Sequence, residues 1–341
     1  MEKLPPLDFA SSLAPDILDF LDYLDHLGFS IVQQAHNLRR IDRYLLQHSI
    51  EDPRQLDARF LMKLIEEDKP RVRTTTLRGY CDTLRLFSRY LVRCARISHS
   101  PLEDFPVPPP QPYQPYVFSP QELCLFFDFL KKQVSKTKDL VSFYKALSRY
   151  TLYHLLYACG LRVSEAIHLR VNDYCPEQAS LYIQPSKFLK DRLIPVSDRV
   201  CSNLNNLLSV RQALTDGSSS NLLFLQLPQG GPYYRDNVSS FFRKTLCHLN
   251  IYRSEYDDEG VRHGSTHLHE LRRAFAVHRL LGWYRQGAVI DAKLPLLATY
   301  MGHSYFGYTK TYLTLTHQLL READRRFAQH FDRLDWIEND S

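Results

Sequence analysis

A mainly α-helical fold with one small β-sheet, an α+β architecture divided over two domains, is predicted from three observations. Apolar residues recur at helical spacing through much of the chain, an alternating run lies near residues 180 to 196, and a proline-rich stretch interrupts the chain at 105–118. At 341 residues the chain exceeds one average domain and suits two, with 44% apolar residues to fill their cores.

Residues 1–104 read as a small helical domain. Ile17, Phe20, Leu21, Leu24 and Leu27 repeat at helical spacing, and Leu77, Tyr80, Leu84, Phe87 and Leu91 form a second such set. Between positions 71 and 96 lie seven arginines against a single acid, Asp82. On one continuous helix Arg71, Arg78, Arg85 and Arg89 share a stripe opposite the apolar face. With Arg73 and Thr75 beside it, that stripe has the composition of a surface that meets phosphates. The same residues also read as a solvated helix face.

Residues 105–118 are too rich in proline to supply the backbone donors of a helix or sheet, and they read as a linker between domains. Extended as polyproline II, a dozen such residues span roughly 37 Å, about one turn of duplex DNA. The linker ends where Ser119-Pro120-Gln121-Glu122 forms a capping box, so a helix starts there with Leu123, Phe126, Phe127 and Leu130 facing inward. A second domain, 119–341, follows, with a helical tail from about residue 317 that carries Leu320, Ala323, Phe327, Phe331 and Leu334 on one face.

The chemistry concentrates in this second domain. Tyr157-Ala158-Cys159-Gly160-Leu161-Arg162-Val163-Ser164-Glu165 reads as a helix stopped by a left-handed glycine, with an arginine held at the junction. Ser180 to Val196 reads as a hairpin whose turn holds Lys187, Lys190 and Arg192. Thr266-His267-Leu268-His269-Glu270-Leu271-Arg272-Arg273 opens a helix in which His269 and Arg272, three apart, share one face. Met301-Gly302-His303 follows, and nine residues after that histidine comes Tyr312. Each piece alone has a bland reading: a surface arginine after a glycine stop, a solvated lysine-rich turn, an apolar Tyr308–Tyr312 helix face.

Composition narrows the classes. A net charge of +5 permits a polyanionic partner without demanding one. The seven cysteines are scattered, without a Cys-x-x-Cys pair, and a reducing cytoplasm fits them. Neither a signal peptide nor a run of about 18 apolar residues occurs, so neither secretion nor membrane insertion is expected. Zinc is considered for His263, His267 and His269, but their spacing matches no common ligand pattern.

In kind, order and spacing, Gly-Leu-Arg-x-Ser-Glu, the hairpin lysine, His-x-Leu-Arg, Gly-His and the late tyrosine resemble the tyrosine recombinase (phage integrase) family. The motifs cover roughly residues 119 to 330, and the helical first domain with its linker agrees in architecture with the family's core-binding, DNA-clamping domain. Arg273 stands where the family often has histidine, and Tyr300-Met301 where leucines usually precede Gly-His. The resemblance implies a tyrosine-recombinase catalytic domain with Arg162 and Arg272 as catalytic arginines, Lys187 as the hairpin lysine, His269 and His303 as the two histidines, and Tyr312 as nucleophile. It implies a site-specific recombinase that acts as a homotetramer on double-stranded DNA, monomeric or dimeric in solution, with no membrane partner.

The chemistry agrees with that implication. A phosphodiester attacked by Tyr312 gains negative charge that two guanidinium forks and a histidine donor stabilise. His269 is assigned as base and Lys187 as acid. A 3′-phosphotyrosine ester conserves the energy of the broken bond, so no cofactor, neither ATP nor metal, is required. Integration, excision, transposition and resolution remain open as roles, as does docking of the tail in cis or onto a neighbouring protomer. A catalytically silent DNA-binding accessory protein of the same fold is the alternative, and a metal-dependent nuclease a third.

Overall fold

The computed structural model describes residues 7–105, 115–184, 191–215, 220–227, 230–254 and 264–302. The chain forms two compact units, Met1–Pro112 and Tyr113–Ser341. In the first, four helices surround one core: α1 (Ala14–His26), α2 (Val32–Gln47), α3 (Ala58–Asp68) and α4 (Thr74–Arg93). Ile17, Phe20, Leu21 and Leu24 of α1 meet Leu77, Leu84, Phe87 and Leu91 of α4 in that core. Leu27, expected on the same face, is exposed because α1 ends at His26. Polar ties fix the packing. Asn37 of α2 donates to the Gly79 carbonyl (3.0 Å) and the Thr83 hydroxyl (2.8 Å) of α4. Arg40 forks onto the buried Asp68 carboxylate at 2.9 Å.

The arginine stripe is not one helix face, which corrects the expectation for Arg71, Arg78 and Arg85. The helix begins at Thr74, with Arg73 as its N-cap, so Arg71 and Arg73 lie in the preceding turn, both exposed, as is Thr75. Arg78 and Arg85 are half-buried rather than outward. Arg85 donates from Nε to the Leu102 carbonyl (3.0 Å) and also to the carbonyl of Phe105. Arg89 forks onto Glu103. The last two arginines therefore fasten the segment after α4 back onto the helix, a demand that local spacing does not reveal.

The second unit opens with α5 (Pro120–Ser135), started by the expected capping box: Ser119 Oγ accepts the Glu122 N–H, and Glu122 accepts the Ser119 N–H at 2.8 Å. Then come α6 (Leu140–Ala158) and the short α7 (Val163–Ile167). Strands β1 (Tyr174–Cys175), β2 (Ser180–Ile183) and β3 (Arg192–Pro195) form an antiparallel sheet in chain order. The connection bearing Lys187 lies outside the described residues. Next are α8 (Asp198–Leu214), a two-stranded ribbon of β4 (Leu225–Gln226) and β5 (Gly231–Pro232), and α9 (Arg235–His248). Last among the described residues are α10 (His269–Arg285) and α11 (Ile290–Met301). Leu147, Leu155 and Leu156 of α6 lie in a core shared with Leu123, Phe126, Leu204, Phe242 and Leu271. No helix among the described residues is long and apolar enough to cross a membrane. The proline-rich residues 106–114 and the tail from 317 lie outside the described residues.

Candidate active site

Two left-handed glycines bring the candidate residues together. After α6 the chain turns at Gly160 (φ +58°), where a Cβ would sit 2.4 Å from a ring carbon of Phe275 on α10. Only glycine fits that conformation and that closeness. Leu161 is buried directly after it, and Arg162 immediately precedes α7. At the far end of α11, Gly302 is the left-handed cap (φ +66°).

Both turns place backbone carbonyls at helix C-termini, where unpaired acceptors and the negative end of the dipole favour a cation. Arg272 Nη1 donates to the Gly160 carbonyl and Nη2 to the Met301 carbonyl, each at 2.5 Å. Arg162 Nη2 donates to the Gly302 carbonyl at 3.0 Å. The two forks converge on one turn although 110 residues separate them in sequence.

Between them sits a carboxylate. The Glu165 side chain is 1% exposed and accepts from Arg162 Nη1 (2.7 Å), from the Arg162 backbone N–H (2.9 Å) and from Arg192 Nη2 (2.9 Å). Arg272 Nη1 lies 3.9 Å from the same group. Burial opposes ionisation of Glu165, but the hydrogen bonds and charge of Arg192, the Arg162 N–H and the charge of Arg272 hold its pKa at about 2. Three guanidiniums against one carboxylate leave the cluster cationic, which suits a phosphate.

His269 opens α10 and precedes Arg272 on the same helix. His269 is exposed at the start of α10, yet the protein crowded around its ring, then the charges of Arg273 and Arg272, push its pKa down to about 4, which favours an uncharged imidazole able to accept a proton at neutral pH. A histidine with a lowered folded pKa adds no stability penalty above about pH 6.5, its unfolded value. Protonation in the unfolded chain favours unfolding as pH falls from there towards 4. If His269 is the base, the single-turnover rate should hold between about pH 7.5 and 5.5 and fall only nearer 4. A fall centred near 6.5 would show an imidazole that is not held neutral. Beside it, the buried Glu270 pairs with His267 Nδ1 (2.9 Å) and with Arg273. Among the described residues no three His, Cys, Asp or Glu side chains are grouped to hold a metal ion.

Of the six expected catalytic residues, Arg162, His269 and Arg272 are thus placed in one neighbourhood, while Lys187, His303 and Tyr312 lie outside the described residues. His303 follows Gly302 directly in sequence. Two further residues of the cluster have weaker sequence signals. Glu165 was read only as part of a motif, though a glutamate amid Ala166 and Ile167, three residues after an arginine, signals a buried pair. Arg192 was read as part of a basic turn, yet its register opposite Ile183, two residues before the buried Ile194, puts it on the inward face of β3.

Comparison with known proteins places this geometry in context. Residues 129–318 match the family model described as phage integrase family. A putative integrase/recombinase of Sinorhizobium fredii is 28% identical over 325 residues, covering 93% of this chain and 96% of its own length. A tyrosine recombinase of Pseudothermotoga lettingae is 26% identical over 317 residues, covering 91% of this chain and 97% of its own length. Among solved structures, the XerH site-specific recombinase bound to a palindromic difH substrate superposes with a TM-score of 0.66 at 18% identity, over 92% of this chain and 84% of that one. The Tn1549 transposon integrase in complex with transposon right end DNA gives a TM-score of 0.65 at 17% identity, over 92% and 99%. These last two likenesses speak for the fold.

Proposed function

Because the chain belongs to the phage integrase family, we propose that it is a site-specific DNA recombinase that cuts and rejoins strands through a 3′-phosphotyrosine ester, acting as a homotetramer on two DNA sites. The observation that supports this most is the convergence of Arg162 and Arg272 on the Met301–Gly302 carbonyls, directly before His303 in sequence. In this reading the Tyr312 oxygen attacks the scissile phosphorus, and the bond from phosphorus to the 5′ oxygen breaks. His269 takes the phenolic proton and Lys187 protonates the departing oxygen. Arg162, Arg272 and His303 hold the charge that grows on the non-bridging oxygens. No ATP takes part, because the ester retains the energy for rejoining, and no metal, because Arg162, Arg272 and His303 meet the developing charge. The test is incubation with a nicked DNA site in chelator without nucleotide. A protein–DNA adduct that survives denaturant supports the reading. Binding without an adduct would favour the silent accessory protein, and cleavage abolished by chelator the metal-dependent nuclease.

In the first unit Arg71, Arg73 and Thr75 are proposed as phosphate contacts, being exposed at the start of α4. Arg78, Arg85 and Arg89 are proposed to assist, Arg85 and Arg89 while they also hold the segment after α4 to the helix. Substituting Arg71 and Arg73 by alanine together should flatten the salt dependence of DNA binding by up to about two units of slope, roughly one per lost contact. An unchanged slope would return them to a solvated surface.

A further inference from the structure

Arg192 is a cation of this cluster that the expected catalytic set does not use. It pairs in register with Ile183 and lies two residues from Ile194, on the inward face of β3, while its neighbour Leu193 is 61% exposed. Its side chain is 10% exposed and each of its nitrogens already donates: Nε to the Tyr300 carbonyl (2.8 Å), Nη1 and Nη2 to the two Glu165 oxygens (3.1 and 2.9 Å). A Cβ on Gly302 would lie 2.8 Å from Arg192 Nη1, so the guanidinium lies close against the turn whose carbonyls anchor the two forks. Its hydrogen bonds tie the Glu165 carboxylate to the turn that anchors both forks.

We propose that Arg192 is a positioning residue: it satisfies the Glu165 carboxylate and clamps the Tyr300–Gly302 turn, so that Arg162 and Arg272 stay anchored on that turn in the geometry the scissile phosphate requires. The proposal rests on the recombinase reading above. Without Arg192, the buried carboxylate draws on Arg162 and Arg272 for its hydrogen bonds and the turn loses its tie to β3. Both forks then shift by a fraction of their working distance, which is enough to slow a positioned reaction about tenfold or more.

The experiment measures single-turnover adduct formation by full-length wild type, Arg192→Met, Arg192→Lys and Arg162→Ala on two DNA sites. One has an ordinary scissile phosphodiester, the other a methylphosphonate in which a methyl group replaces one charged non-bridging oxygen. Fork misplacement matters less where the charge to be met is smaller, so the Arg192→Met deficit should be large on the phosphodiester and collapse towards parity on the methylphosphonate. Arg162→Ala should show the same relief. Arg192→Lys, which keeps the charge but not the fork, should recover melting temperature more than rate. An equal Arg192→Met deficit on both substrates, tracking a lowered melting temperature, overturns the positioning role and leaves Arg192 as a support of the fold alone. Relief for Arg162→Ala without relief for Arg192→Met overturns the Arg192 role while leaving the recombinase reading standing. Absence of any adduct from wild type on either substrate overturns the recombinase reading, and this proposal with it.

Discussion

Replacing Glu165 by alanine is expected to destabilise the second unit by about 3–5 kcal/mol, the cost of breaking a buried ion pair by removing one partner. The side chain is 1% exposed and receives Arg162 and Arg192 directly, with Arg272 at 3.9 Å. Its removal leaves these guanidiniums to repel one another in a poorly hydrated place. Glu165→Gln keeps the shape but not the charge and should fall between alanine and wild type. Denaturant unfolding of both variants checks this; a change within about 0.5 kcal/mol, typical of a surface substitution, would mean that the carboxylate is not the hub described.

The second large effect is kinetic. Arg162→Ala should slow adduct formation about 10²–10³-fold, roughly 2.7–4 kcal/mol of transition-state stabilisation, as for a lost donor to a developing oxyanion. Half-site binding should change little, because the charge that Arg162 meets grows only in the transition state. Arg162 is the cleaner probe of the two forks. Its side chain is 32% exposed, whereas Arg272 is 2% exposed and spans two turns, so that Arg272→Ala would damage the fold along with the chemistry. Equal losses in binding and in rate for Arg162→Ala would contradict the assignment.

What the sequence disclosed, and what it hid, follows from the range of the forces involved. Local signals were legible: the Ser119 capping box and the Gly160 stop are found, and the helix expected from the Thr266–Arg273 segment forms, beginning at His269, since each is decided within a few residues. The hairpin between Ser180 and Val196 was legible from alternation, although its second strand begins at Arg192, a residue expected in the turn. Long-range polar demands were not. Nothing near Arg85 announces that the carbonyls of Leu102 and Phe105 need its donors, so a helix-spacing argument placed it on a free stripe. Likewise Glu165 and Arg192 lie 27 residues apart, and their pairing shows only once the sheet brings β3 beside α7. The family resemblance supplied roles for Arg162, His269 and Arg272; the structure adds the carboxylate and the third arginine.

The most direct test of the account is to identify the amino acid that carries the DNA. The covalent complex formed on a nicked site in chelator is digested with protease and nuclease, and the nucleotide-bearing peptide is sequenced by mass spectrometry. The account predicts a single peptide with a 3′-linked nucleotide on Tyr312. A nucleotide on Tyr308, on any serine, or on no residue at all would contradict it.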